Sequence, residues 1–220
     1  MTNKSMKNMP STKKEVVAAF RTQEILRAAR GLLEQGGVDG LTMEGIAAAA
    51  GVAKGTLYLY FQSKEELIQE LLSQVAENIV AALESLIDTP HPPEEKLRQV
   101  VGWLLDHLER ERVLFPVFMH ELWRERSEAP GRERRFQELD ERINSRLTDL
   151  FAEGIAQGRF IPANPRLLSF LLRGLVRAVG HYRMAQVGEE SITEAAPVLL
   201  ALLFSGLAPK SPVALEVDTL

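Results

Sequence analysis

From Lys54 to Lys64 the chain reads Lys-Gly-Thr-Leu-Tyr-Leu-Tyr-Phe-Gln-Ser-Lys, a run rich in groups that meet nucleic acids. Lys54 brings a cation, Gly55 a bare backbone, Thr56 a hydroxyl and Tyr58 a phenol, all able to contact phosphate oxygens or base edges. Leu57 and Phe61 stand four apart and share the inward face of one short helix, leaving Lys54, Gly55, Thr56, Tyr58 and Leu59 on or near the outer one. Lys64 falls in the first turn of the following helix, where free backbone N–H groups and the positive dipole end already favour a phosphate. The same residues also fit a plain helical hairpin with an aromatic core.

Catalytic chemistry is not visible. Cysteine is absent, which removes thiolate nucleophiles, disulfides and cysteine metal sites. The four histidines, His91, His107, His120 and His181, show no metal-ligand spacing, and His120–Glu121 lacks the second histidine of a zincin. No Walker loop or nucleophile elbow occurs. The expectation is a protein with no catalytic residues, no metal and no cofactor. The N-terminus has no signal-peptide pattern, and no stretch approaches the roughly 20 apolar residues of a membrane span. A cytoplasmic, nucleoid-associated protein without membrane contact is expected.

The formal net charge of −4 conceals an asymmetry. Residues 1–64 carry nine Lys/Arg against five Asp/Glu, whereas the other 156 residues carry 17 against 25. A basic N-terminal part on an acidic remainder suits a chain that touches phosphate at one end only.

These side chains need helices to hold them, and helical periodicity dominates. Ile25, Ala28, Ala29, Leu32 and Leu33 form a core-facing stripe that Gly36 and Gly37 end. Thr42 is placed to cap a short helix from Met43 to Ala50, Gly51–Val52–Ala53 breaks it, and Lys54 to Phe61 forms the next. That is a helix-turn-helix, whose second helix is the one that enters a major groove. Ser63 and Glu66 have capping-box spacing ahead of a helix of about 25 residues, long enough to connect two domains. Pro90, Pro92 and Pro93 end that helix. Further helices are expected over Glu94–Arg112, Val113–Arg126, Arg132–Gln157, Asn164–Gln186 and Ile192–Leu207, with turns at Ala129–Gly131 and Gly188–Ser191. The fold class is all-α: a three-helix helix-turn-helix domain joined by a long helix to a helical bundle. The boundaries are a basic flexible arm over 1–18, a helix-turn-helix domain over 19–66, a larger helical domain over 67–207 and a tail over 208–220.

Ile25 to Leu33, Leu41 to Ala47 and Gly51 to Leu67 together closely resemble the TetR family of transcription regulators. The resemblance covers residues 20–70 and is specific in its turn, its tyrosine pair, its phenylalanine and the lysine beyond. It implies a DNA-binding face made of Thr42, Lys54, Gly55, Thr56, Tyr58, Tyr60 and Lys64, with Thr56 and Tyr58 near bases and Thr42, Tyr60 and Lys64 near phosphates. Ala53 departs from the family, which often has a capping serine there, a loss of roughly 1 kcal/mol. The resemblance further implies a ligand-released repressor that binds a palindromic operator of double-stranded DNA as a homodimer, paired through its last two helices, with 19–66 as the DNA-binding domain and 67–207 as the helical-bundle ligand-binding, regulatory and dimerisation domain. A helical adaptor that has lost DNA binding is the rival, and the retained lysines and tyrosines argue against it.

The last helix, apolar from Ala195 to Phe204, must be covered on most sides, and Gly174, Ala178 and Tyr182 give the preceding helix a track for a neighbour. Arg166, Arg173, Arg177 and His181 form a polar stripe, read first as a solvated face and otherwise as a site for an anionic ligand or for acidic residues across the dimer. Trp103, His107, Phe118, Met119, Trp123, Phe151 and Arg177 are the candidates for binding a small-molecule effector. Aromatic and methionine side chains with a few polar groups make such pockets, and also make helical cores. An apolar lining would suit a hydrophobic or amphipathic organic effector.

Overall fold

The computed structural model describes residues 12–124, 134–185 and 195–207, and every regular element among them is an α-helix. The helix-turn-helix part contains α1 (Lys13–Gly36), α2 (Met43–Ala49) and α3 (Lys54–Tyr60). Beyond it come α4 (Lys64–Ile87), α5 (Pro93–Arg110), α6 (Leu114–Arg124), α7 (Arg134–Ala156), α8 (Pro165–Ala185) and α9 (Ala195–Leu207).

Local chemistry sets most of these boundaries. Helix α1 begins inside the segment expected to be a flexible arm, because Thr12 and Glu15 form a reciprocal capping box. It ends at Gly37, whose φ of 62° is the left-handed conformation glycine adopts without strain. Thr42 caps α2, its hydroxyl accepting from the Gly45 N–H at 3.1 Å. The box expected at α4 is only half formed: Ser63 accepts from the Glu66 N–H, but the Glu66 carboxylate reaches the Gln62 N–H at 2.6 Å. The carboxylate thus ties down the chain one residue earlier and fixes the turn out of α3. Asn164 caps α8 by accepting from the N–H groups of Arg166 and Leu167, with Pro165 in the first helical position. Pro197 lies third in α9, where its missing N–H breaks no helical bond. The turns expected at Ala129–Gly131 and Gly188–Ser191 and the C-terminal tail lie outside the described residues.

One contiguous apolar core runs from α1 to α9. One face of helix α4 is buried along its whole length, from Leu67 and Leu71 to Leu83 and Ile87, so one rod belongs to both parts of the chain. Each fully buried leucine contributes about 1.5–3 kcal/mol relative to exposure. Helix α7 packs between α4 and α8, and α5 packs on α4, α7, α8 and α9. Polar links also sit inside this bundle: Lys96, 5% exposed, reaches Glu153 at 2.9 Å, and Ser169 donates to Asn144 at 2.8 Å.

Candidate nucleic-acid interface and effector cavity

Helix α3 is short and held by one side only. Leu57 is completely buried and Phe61, at its end, is 4% exposed, so both anchor it to the core. The opposite face is open: Lys54, Gly55, Tyr58 and Leu59 are exposed, Leu59 to 80%. Thr56 and Tyr60 are half-buried on its flanks, Lys64 is half-buried in the first turn of α4, and Thr42 is exposed at the start of α2. The seven residues expected at the DNA face therefore lie on α3 and on the two helix starts flanking it. Leu59, which is not among those seven, projects from the middle of this surface; an apolar side chain there suits a thymine methyl. A Cβ added at Gly55 would meet nothing within 4 Å, so the protein's own packing does not require glycine. Ala53 provides no side-chain cap.

Lys54 is not free. Its ammonium pairs with Glu44 on α2 and lies 6.0 Å from the Tyr58 ring centre. The hydrogen bond from Lys54 holds the Glu44 carboxyl below its usual range, and the same bond raises Lys54. Both groups are exposed, so the pair is easily exchanged for a phosphate. Glu44 was not legible as a participant, because ten residues and a turn separate it from Lys54.

In the second part of the chain, α4, α5, α6, α7 and α8 line a cavity of about 130 Å³. Aliphatic and aromatic side chains make up most of its wall, notably Val75, Leu104, Phe115, Phe118 and Ile143. Five polar residues also face it: His107, Glu111, Asp140, Arg173 and Arg177. Of the expected effector residues, His107, Phe118 and Arg177 line it. Trp103 stands behind the wall, stacked on His107 with ring centres 4.6 Å apart. Met119 is half-buried on α6 but not in the lining, and the Trp123 side chain is outside the described residues. Phe151 is a correction: it is 1% exposed and packs on Phe160, whose ring lies so close to Gly154 that a methyl there would overlap it. It belongs to the core and not to the cavity lining.

The arginine stripe of α8 is only in part a solvated face: Arg166 and His181 are exposed, whereas Arg173 and Arg177 are half-buried. Arg173 pairs with Asp140 of α7 and Arg166 lies 3.6 Å from Glu141. His181 meets the edge of Phe115, and Arg177 turns to the cavity. Burial pushes the His107 imidazole below its ordinary range, and its Nε2 is buried without a hydrogen-bond partner. Gly180 admits the Phe115 ring onto α8, where any larger residue would collide with it.

One ion pair joins this cavity to the DNA-facing part. Arg30 of α1 donates to Glu111 at 2.5 Å, and Glu111, in the turn between α5 and α6, is itself a cavity-wall residue. On the outside, α8 leaves Leu167, Phe170, Leu171, Leu175 and Tyr182 exposed along one stripe, and α9 leaves Val198 and Leu202 exposed. Gly174 faces open space on that stripe.

Comparison with known proteins agrees with this arrangement. Residues 25–71 match the family described as bacterial regulatory proteins, tetR family, and residues 90–207 match a tetracyclin repressor-like C-terminal domain. The chain is similar to the HTH-type transcriptional repressor KstR2 of Mycolicibacterium smegmatis, at 28% identity over 145 residues, covering 66% of this chain and 69% of that one. The fatty acid degradation regulator FadR from Bacillus halodurans superposes with a TM-score of 0.73 at 26% identity, covering 84% and 95% of the two chains. The ketosteroid transcriptional regulator KstR2 of Mycobacterium tuberculosis superposes with a TM-score of 0.69 at 22% identity, covering 86% and 96%. With both parts of the chain matched, an exposed α3 in the first and a mostly apolar cavity in the second, the chain belongs to the TetR family and is a DNA-binding transcription regulator, not an enzyme.

Proposed function

We propose that this protein represses transcription by holding a palindromic operator as a homodimer, and releases it when an apolar organic effector enters the cavity. The observation that carries this reading is the Arg30–Glu111 pair, because it links a wall of the cavity directly to the first helix of the DNA-facing part. On the DNA side, Tyr58 and Leu59 supply base contacts, while Lys54, Lys64 and the helix starts at Thr42 and Lys64 supply phosphate contacts. The exposed apolar stripes of α8 and α9 support dimerisation through these helices, since such a surface is costly to leave in water.

The mechanism is a population shift. A cavity of about 130 Å³ is smaller than the roughly 300–1,000 Å³ of pockets that hold drug-sized ligands. An effector larger than a single ring therefore enters only as α6 and the α5–α6 turn move. That motion carries Glu111, disturbs its pairing with Arg30 and changes the spacing of the two α3 helices from the roughly 34 Å of successive major grooves. The mostly apolar wall supports a hydrophobic or amphipathic effector, and FadR of Bacillus halodurans, a regulator of fatty acid degradation, is in keeping with that chemistry.

Tyr58→Ala tests the DNA face. Operator affinity should fall by about tenfold or more, the loss of 1–3 kcal/mol per base contact, while sedimentation shows an unchanged dimer. Unchanged affinity would remove α3 from the DNA interface.

A further inference from the structure

The polar groups of the cavity wall do not balance. Glu111 is neutralised by Arg30 and Asp140 by Arg173, so both carboxylates already have cations. Arg177 makes no ion pair among the described residues, although it is half-buried and faces a mostly apolar space. Burial, with Arg173 as a neighbouring cation, holds the Arg177 guanidinium below its ordinary range against the smaller opposing effect of Asp140. Across the same cavity, His107 presents a buried Nε2 with no hydrogen-bond partner, and stacking on Trp103 fixes its ring. A charge that has been partly stripped of water gains most from a counter-ion that arrives with the ligand.

We infer that the effector is an amphipath with one anionic group, which Arg177 pairs, and an apolar body that fills the space beneath Phe115 and Phe118, with His107 as a second polar anchor. This rests on the reading of the cavity as the effector site and specifies its chemistry. The anionic group is either the carboxylate of a free acid or a phosphate of a nucleotide thioester of that acid; a guanidinium recognises both by charge-assisted hydrogen bonds. Neutral and cationic amphipaths of equal body are excluded, because they leave Arg177 unpaired or add a third cation beside Arg173.

The test is calorimetry on the full-length protein with matched sets of ligands on several bodies: hexanoate, octanoate, decanoate and phenylacetate, their amides, the corresponding amines, and octanoyl-coenzyme A. At least one acid or the thioester should bind about tenfold or more tightly than its amide, the scale of a charge-assisted hydrogen bond, and the amines should not bind. Arg177→Gln should erase the preference for anion over amide. His107→Leu should weaken acid and amide alike and keep the preference, with thermal unfolding confirming that both variants fold. Binding of the thioester without the free acid would identify the thioester as the source. Equal affinity for amide and acid, an Arg177→Gln protein with unchanged acid affinity, or no binding of any acid or thioester would overturn the inference. Displacement of operator is read in parallel: an acid that binds without releasing DNA refutes ligand release but not the anion preference. A neutral compound that releases DNA does the reverse.

Discussion

Replacing Lys64 with alanine should weaken DNA binding by an amount that salt controls. Lys64 has no ion pair among the described residues, and its backbone lies in a helix start that Ser63 caps independently. Removing it therefore costs folding stability within about 0.5 kcal/mol, as at other surface positions. Each phosphate deprived of its lysine lowers the slope of log K against log salt by about 0.9, which is roughly 1.8 for a dimer with one such phosphate per protomer. Between about 50 and 200 mM salt this amounts to a roughly tenfold narrowing of the gap between wild type and variant. Fluorescence anisotropy on labelled duplex measures both lines, and no operator need be known, because non-specific DNA obeys the same law. Lys54→Ala should give the same change in slope but a smaller loss at any one salt concentration, since Lys54 must first give up Glu44. Parallel lines for wild type and Lys64→Ala would refute a phosphate contact at Lys64.

Gly55→Ala should raise thermal stability, by up to about 0.5–1 kcal/mol for a glycine removed from a helix, because the new methyl meets nothing. The same change should lower operator affinity, and an unchanged affinity would mean that DNA does not approach that backbone. His107 is held below its ordinary value of 6.5, so the unfolded chain takes up a proton that the folded chain refuses. Stability is thus complete above about pH 6.5 and falls as pH drops below it, and denaturant titrations across that range should show a shallower fall in His107→Leu. Leu171→Glu and Leu202→Glu place charges on side chains that are 54% and 63% exposed on the α8 and α9 stripes. Sedimentation velocity should find these variants folded but monomeric, and an intact dimer would move the interface elsewhere.

The helix-turn-helix was legible because it is written locally. Thr42 as a cap, Gly51 as a break and Leu57 with Phe61 as inward anchors fix the orientation of α3 within a few residues. The start of α1 was equally local, in Thr12 and Glu15, but lies beyond the apolar stripe that marks the helix. The cavity was only partly legible. Its walls from α4, such as Leu72 and Val75, have the spacing of any core stripe, and nothing in one sequence distinguishes a side chain beside empty space from one that fills it. Phe151 has the type expected of a pocket, yet Gly154 and Phe160 make it core. Arg173 reads as solvated until Asp140 appears opposite it, 33 residues away on another helix. Pairing across helices of this kind decides the cavity's electrostatics and leaves no trace in periodicity.

The most direct test is selection of bound fragments from random and genomic DNA, followed by titration of the enriched duplex at a stated salt concentration. The expected result is a palindromic site that binds two protomers at least about a thousandfold more tightly than unrelated DNA. Enrichment of no sequence at low salt by folded, dimeric protein would contradict an operator-binding repressor.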